Sequence, residues 1–240
     1  MKFQHNEIMS SKVVGKEKLK ELPDSLGANA YDWLVSRITT FEIPVNTPLS
    51  EVKIAKEIGI SRTPLREALH RLEAEGLVNR TDAGRFMVSM VSKKDIEDAC
   101  DLLILCDNYL FQKASENLSP SQVKRLTRLS KELVNSSTSG KRDQWEKIDL
   151  EFHEILMDAA NNPMVAEVTR KTRRRIHRYW TRTADGSKHL VDCSKDHVDL
   201  AKAVINKDSV AITRLVDKHI AHLREHILEI VAAAAPLFGI

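Results

Sequence analysis

The chain has 240 residues, 42% apolar and 30% charged, with only 8 Gly, 7 Pro and 5% aromatic residues. That composition favours a helix-rich chain of about two domains over a Gly-punctuated β architecture. No apolar run approaches a membrane span, Met1-Lys-Phe-Gln-His lacks a secretory pattern, and Cys100, Cys106 and Cys193 form no C-x-x-C pair, so the expected setting is cytoplasmic, without membrane or disulfide framework. The net charge is only +3, and residues 1–92 hold 13 Lys/Arg against 12 Asp/Glu. Any nucleic-acid affinity must therefore come from where the cations sit.

In chain order, residues 1–25 read as a polar, Lys-rich arm. A first helix is expected at about Ala28–Thr40, and Asn46, between Pro44 and Pro48, suits a left-handed turn. Ser50 is a plausible N-cap for a helix ending near Ile58, with Gly59 as a left-handed C-cap. Ser61 is expected to cap a third helix, with Pro64 in its first turn and a stop at Gly76. The alternating apolar runs around Asp82-Ala-Gly84 signal a hairpin.

Beyond Lys93 only helical patterns occur. Helices are expected at about Asp95–Asn117, from Ser119 or Ser121 to Asn135, and at Gln144–Ala160, Pro163–Thr183, Ser194–Ile205 and Ser209–Leu237. Ser136–Gly140 reads as a loop. Six such helices make an antiparallel bundle. The expected fold is mostly α: a winged helix-turn-helix over residues 26–92 and an antiparallel all-α bundle over residues 93–240.

Two short helices joined by a tight turn can present the second to the DNA major groove, with its N-terminal residues at base edges. Here that turn is Ser61-Arg62-Thr63-Pro64-Leu65-Arg66. Arg62 and Arg66 lie four apart on one face, and Arg is the usual bidentate partner of guanine. Ser61, Thr63 and the helix N-terminus can hold phosphate. Arg80, Gly84 and Arg85 of the hairpin could reach the minor groove.

The ordered run Leu49-Ser-Glu, Ile60-Ser-Arg-Thr-Pro-Leu-Arg-Glu-Ala-Leu and Leu72-Glu-Ala-Glu-Gly-Leu-Val resembles the winged helix-turn-helix of the GntR family of bacterial transcription regulators. The resemblance implies base contacts by Arg62 and Arg66, help from Thr63, and Gly84 at the wing tip. Two positions depart from the family pattern: Asn46 replaces a frequent glycine, and Val52 replaces an Arg that contacts DNA in some members.

In the second half, Asp149 and His153 share one side of a helix, and His197 falls within the apolar stripe Leu200, Ala201, Val204 and Ile205. On the last helix, about 100° per residue places His219 nearest the stripe Val216, Ile220, Leu223 and Ile227, His226 a little farther, and His222 farthest. One carboxylate and three imidazoles suit Zn, Ni or Mn. Inward histidines also serve as satisfied core groups, so spacing alone leaves both readings open.

Asp149-x-x-x-His153, Asn162-Pro163, Asp196-His197 and His219 together resemble the FCD ligand-binding domain of the FadR-like branch. That resemblance implies a divalent metal held by Asp149, His153, His197 and His219, beside a small metabolite, often a carboxylate. It departs at Asp101–Asn108, where many members carry an Arg. Arg170–Arg175 is expected to be a solvated face, with Arg174 and Asn108 the candidate effector contacts. The expected protein is a homodimeric, metabolite-responsive regulator, a repressor by family tendency, on a palindromic operator, and not an enzyme. A metal-dependent hydrolase or lyase using the same site is the alternative, but no H-E-x-x-H or comparable motif supports it.

Overall fold

The computed structural model describes residues 23–181 and 187–234, without the side chains of residues 23–26, 177–181, 187–188 and 233–234. Residues 1–22 of the expected N-terminal arm, the expected interhelical segment at residues 184–186 and the end of the last helix beyond Ala234 lie outside the described residues, whereas Pro23–Ser25 of that arm belong to the first helix.

The head comprises α1 (Pro23–Thr39), α2 (Glu51–Ile58), α3 (Arg62–Ala74), β1 (Val78–Arg80) and β2 (Phe86–Val88). Helix α2 starts where the Lys53 amide donates to Ser50 Oγ and ends at Gly59, whose φ of 80° is left-handed. Leu65, Ala68, Leu69 and Leu72 of α3 are buried, while Tyr31, Leu34 and Ile38 of α1 fill the same core. The strands pair antiparallel with Val78 opposite Val88 and Arg80 opposite Phe86. Asn46 (φ 59°) and Thr47–Leu49 lie along the other edge of β2, through Asn46 N–H to Val88 O, Val88 N–H to Thr47 O and Leu49 N–H to Phe86 O. The wing is thereby tied to the start of α2.

The body comprises α4 (Lys93–Asn117), α5 (Pro120–Thr138), α6 (Arg142–Ala160), α7 (Pro163–Thr181), α8 (Ser187–Ile205) and α9 (Ser209–Ala234). Capping boxes at Ser92/Asp95 and Ser119/Gln122 set the starts of α4 and α5. Helices α4, α6, α5, α8 and α9 pack successively into a closed ring, and α7 lies against α4, α6 and α9 and reaches α1 of the head. Phe111, Trp145 and Phe152 are fully buried in the ring, each contributing about 1.5–3 kcal/mol by leaving water.

Three expected boundaries moved. Helix α1 begins at Pro23, not Ala28. Helix α5 continues through Thr138, because Ser136 and Ser137 bury their hydroxyls by donating to carbonyls one turn back. Helix α8 starts at Ser187 rather than Ser194. Ser194 is fully buried, donates to Leu190 O and accepts the Trp145 indole N–H at 2.8 Å, so its hydroxyl serves the core and not a helix end.

Candidate nucleic-acid interface and metal centre

Ser61, Arg62, Thr63 and Arg66 all lie exposed at the start of α3, on the side away from its buried face. Ser61 takes the extended cap conformation, but its side chain accepts no helix N–H, contrary to the expected capping bond. The Ser61 hydroxyl therefore does not satisfy the first N–H groups of α3. Glu51 of α2 holds both arginines, at 3.4 Å from Arg62 and 3.0 Å from Arg66. These exposed pairs are weak enough to exchange for DNA. Val52 is 62% exposed beside them, so the departure from the family pattern sits on the surface.

The wing residues divide. Gly84 (φ 71°) turns the tip and donates its N–H to Thr81 O, and Arg85 is exposed beside it. Arg80 is folded back: it pairs with Glu73 at 3.0 Å, donates to Gly84 O and covers the Phe86 ring. Arg80 braces the wing instead of projecting from it.

In the body, Asp149 and His153 of α6, His197 of α8 and His219 of α9 converge inside the ring, each no more than 4% exposed. The ligand-capable atoms of the three histidines lie within 4.8 Å of one another. His197 Nε2 is 2.9 Å from Asp149 Oδ1 and 3.2 Å from His153 Nε2, and His153 Nε2 is 3.7 Å from Asp149 Oδ1. His197 Nδ1 lies 2.8 Å from Cys193 O. Donation there leaves a lone pair on Nε2 aimed at a carboxylate oxygen. In that tautomer two acceptors face each other, an opposition that a cation between them would relieve, whereas the other tautomer sets Nδ1 against Cys193 O instead. His153 Nδ1 is a buried nitrogen with no hydrogen-bond partner.

Burial, reinforced by the Arg173 charge, holds His153 well below the usual imidazole range, and burial and His197 do the same for His219. Both imidazoles are therefore neutral and able to ligate near pH 7. Cys193 Sγ lies 3.7 Å from His197 Nδ1, but burial pushes its thiol well up. With no cation beside it that thiol is protonated near pH 7. Phe152 and Trp145 set edge-on contacts to His197, and Phe111 stacks on His153, fixing the rings in place. The residues fit a divalent first-row ion with nitrogen and oxygen ligands. Of the remaining α9 histidines, His222 is partly exposed and 2.7 Å from Asp196, whereas His226 is buried but pairs with His189, away from this cluster.

A cavity of about 210 Å³ opens beside Asp149 and His153. Leu150 and Met157 of α6 line it, as do Val35 and Thr39 of head helix α1 and Arg170, Arg173 and Arg174 of α7. The basic run is thus not the solvated face expected. Arg170 binds Glu154 in fork geometry at 2.7–2.8 Å. Arg173 is 8% exposed, paired with the buried Asp107, and its Nε has no partner. Arg174 lines the cavity but pairs with Glu75 of the head at 2.8 Å and with Tyr31. Arg175 pairs with Asp95 at 2.6 Å. Asn108 is not at the cavity; it donates to Ile104 O and Asp217. Arg173 is the residue that sequence reasoning missed, because its inward turn depends on Asp107 waiting on α4.

Glu151 and Glu154, the carboxylates flanking the cluster in sequence, are taken by Arg125 and Arg170. Among the described residues, no helix is long and apolar enough to cross a membrane.

Comparison with known proteins places this geometry. The chain is 23% identical over 180 residues to the HTH-type transcriptional regulator YdhC of Bacillus subtilis, covering 75% of this chain and 80% of that one. It is 21% identical over 189 residues to the transcriptional repressor RspR of Escherichia coli, covering 78% and 82%. Among solved structures, E. coli McbR/YncC superposes with a TM-score of 0.75 at 19% identity, over 85% of this chain and 97% of that chain. A GntR-type regulator from Rhodococcus sp. RHA1 gives a TM-score of 0.67 at 17% identity, over 85% and 98%. These two likenesses establish the fold. The model of the gntR family of bacterial regulatory proteins matches residues 26–88, and that of the FCD domain matches residues 107–222. The chain belongs to the GntR family of transcription regulators, with an FCD domain as its helical body.

Proposed function

We propose that this regulator is a homodimeric repressor whose FCD body holds a divalent first-row metal ion and binds a small anionic metabolite that changes operator affinity. The observation that carries the reading is the convergence of Asp149, His153, His197 and His219 beside a cavity that also touches head helix α1. Asp149 and the three imidazoles would hold the ion, which supplies positive charge and an open coordination position for an oxygen ligand. Arg173, with its unpartnered Nε, provides the cation for a carboxylate. Leu150, Met157 and Val35 provide apolar contact for the rest of the molecule. A volume near 210 Å³ suits a compact metabolite rather than an acyl chain.

Control requires that the occupant bind one placement of the heads better than another, with a coupling of about 1–3 kcal/mol. Val35 and Thr39 give an occupant direct contact with the head. Arg62, Arg66, Thr63 and Ser61 would read the operator and Arg85 with Gly84 would lie at the wing. Two heads on a two-fold operator account for a dimer and a palindromic site. Repression is favoured by the relatives named as repressors, RspR and the gluconate operon repressor of B. subtilis. An enzymatic reading has no such support, since the relatives are named as regulators.

The test is metal analysis of the purified chain, followed by operator-shift assays with metal-loaded and stripped protein over a panel of small carboxylates. The reading predicts one tightly held ion per chain at this cluster and a carboxylate whose effect on operator affinity disappears in Arg173→Met. Operator binding indifferent to metal and to every carboxylate would overturn it.

A further inference from the structure

Helices α8 and α9 run side by side, and their shared seam carries histidines twice. His197 of α8 meets His219 of α9 in the cluster described above, with ring centroids 4.7 Å apart. Eight residues earlier on α8 and seven residues later on α9, the seam brings His189 against His226, with centroids 3.8 Å apart and rings 28° from parallel. Glu229, one turn beyond His226, completes a triangle. Its Oε2 is 3.9 Å from His189 Nε2 and 3.9 Å from His226 Nδ1. The ligand-capable atoms of the three residues lie within 4.8 Å of one another. At 1.5 Å per residue the second cluster sits roughly 11–12 Å from the first along the seam.

We propose that His189, His226 and Glu229 form a second divalent-metal site, suited to zinc, that pins the first turns of α8 to the last turns of α9. The separations argue for an ion over a direct contact. At 3.9 Å the carboxylate is too far for a hydrogen bond to either imidazole. Two ligands on one tetrahedral zinc, with bonds of about 2.0–2.2 Å, stand about 3.3–3.6 Å apart, so small side-chain movements suffice. Two imidazoles stacked face to face cannot both carry a proton charge at low cost. Burial, with the His189 and Arg142 charges, pushes His226 down to about 4, so its ring is neutral near pH 7. Glu229 then supplies the negative charge that a cation needs.

The donor set, two imidazoles and one carboxylate, leaves a fourth position for water, as three-ligand zinc sites do. It is also the weaker of the two sites. Glu229 and His189 have side chains 61% and 38% exposed, and the Arg142 charge opposes a cation. The first cluster has four buried donors and no such exposure. Occupancy of the second site would therefore follow zinc supply while the first stays filled, and the element it tightens carries His197.

The experiment is equilibrium dialysis of the stripped full-length chain against zinc, read by atomic absorption. Two equivalents per chain are expected, one tight and one weaker. The double variant His189→Ala/Glu229→Gln should lose the weaker equivalent and keep the tight one, with unchanged circular dichroism because both side chains are partly or largely exposed. His197→Ala should lose the tight equivalent and keep the weaker. A single zinc that survives in the double variant, or two that both survive there, would overturn the second site. A single zinc lost in the double variant but kept in His197→Ala would support this site while sinking the first.

Discussion

Head and body meet at Glu75, and its replacement by glutamine tests whether that contact is an energetic link. The Glu75 side chain is 3% exposed, accepts from Arg174 at 2.8 Å and lies 3.4 Å from Arg71. Tyr31 O–H donates to the same carboxylate at 2.6 Å. Burial and that bond hold the Tyr31 phenol well above its usual range, so it remains a donor. A glutamine amide at this position would keep an acceptor for Tyr31 but lose both charge-assisted bonds. The Arg71 partner is 55% exposed and is worth about 0.2–1 kcal/mol. The Arg174 partner is 28% exposed and, hydrogen-bonded to a buried charge, is worth about 1.5–3 kcal/mol. Glu75→Gln should therefore cost about 2–4 kcal/mol in urea melts followed by circular dichroism. A double-mutant cycle with Arg174→Met isolates the link itself, and an interaction energy of about 1.5–3 kcal/mol is expected. A value below about 0.5 kcal/mol would refute the link, however large the single effects. Because Arg174 also lines the cavity, the same pair of variants should blunt the response of operator affinity to a bound anion.

Arg62→Ala should weaken operator binding by about 1–3 kcal/mol and relax specificity at one base pair, whereas Arg80→Ala should act chiefly on wing stability; binding to a panel of single-base operator variants separates the two. Glu51→Gln removes the counter-charge of both Arg62 and Arg66 and should tighten DNA binding by up to about 1 kcal/mol, with unchanged specificity in the same assay. Metal-free protein should lose stability on acidification. Unfolded imidazoles protonate near 6.5 while His153 and His219 resist until well below it, so stability present above about 6.5 is lost progressively as the pH falls toward their folded values. Melts of stripped protein at about pH 7.5, 6.5 and 5.5 check the sign; stability that rises on acidification would contradict it.

The head was legible because its signals are local. Ser50, Gly59 and Pro64 each act on the turn they occupy, and α2 ends at Ile58 as its cap implies. Inside the body, helical phase ordered the α9 histidines correctly, with His219 and His226 buried and His222 partly exposed. Phase could not say what each inward side chain meets. His226 finds His189 only because α8 starts at Ser187, and Ser194, the expected first residue of that helix, is a core hydroxyl that accepts from Trp145. Arg173 is the clearest loss. A run of basic residues looks like a solvated face until α7 docks, and its burial depends on Asp107, 66 positions away.

A metal-filled cluster at Asp149, His153, His197 and His219 is the central claim, and the most direct test is the metal content of the chain as purified, beside that of His197→Ala. Wild type should carry at least one tightly held first-row ion per chain that survives dialysis, and His197→Ala should lose it while keeping its helical circular dichroism. Equal tightly held metal in both proteins, or none in wild type after reloading, would contradict the claim.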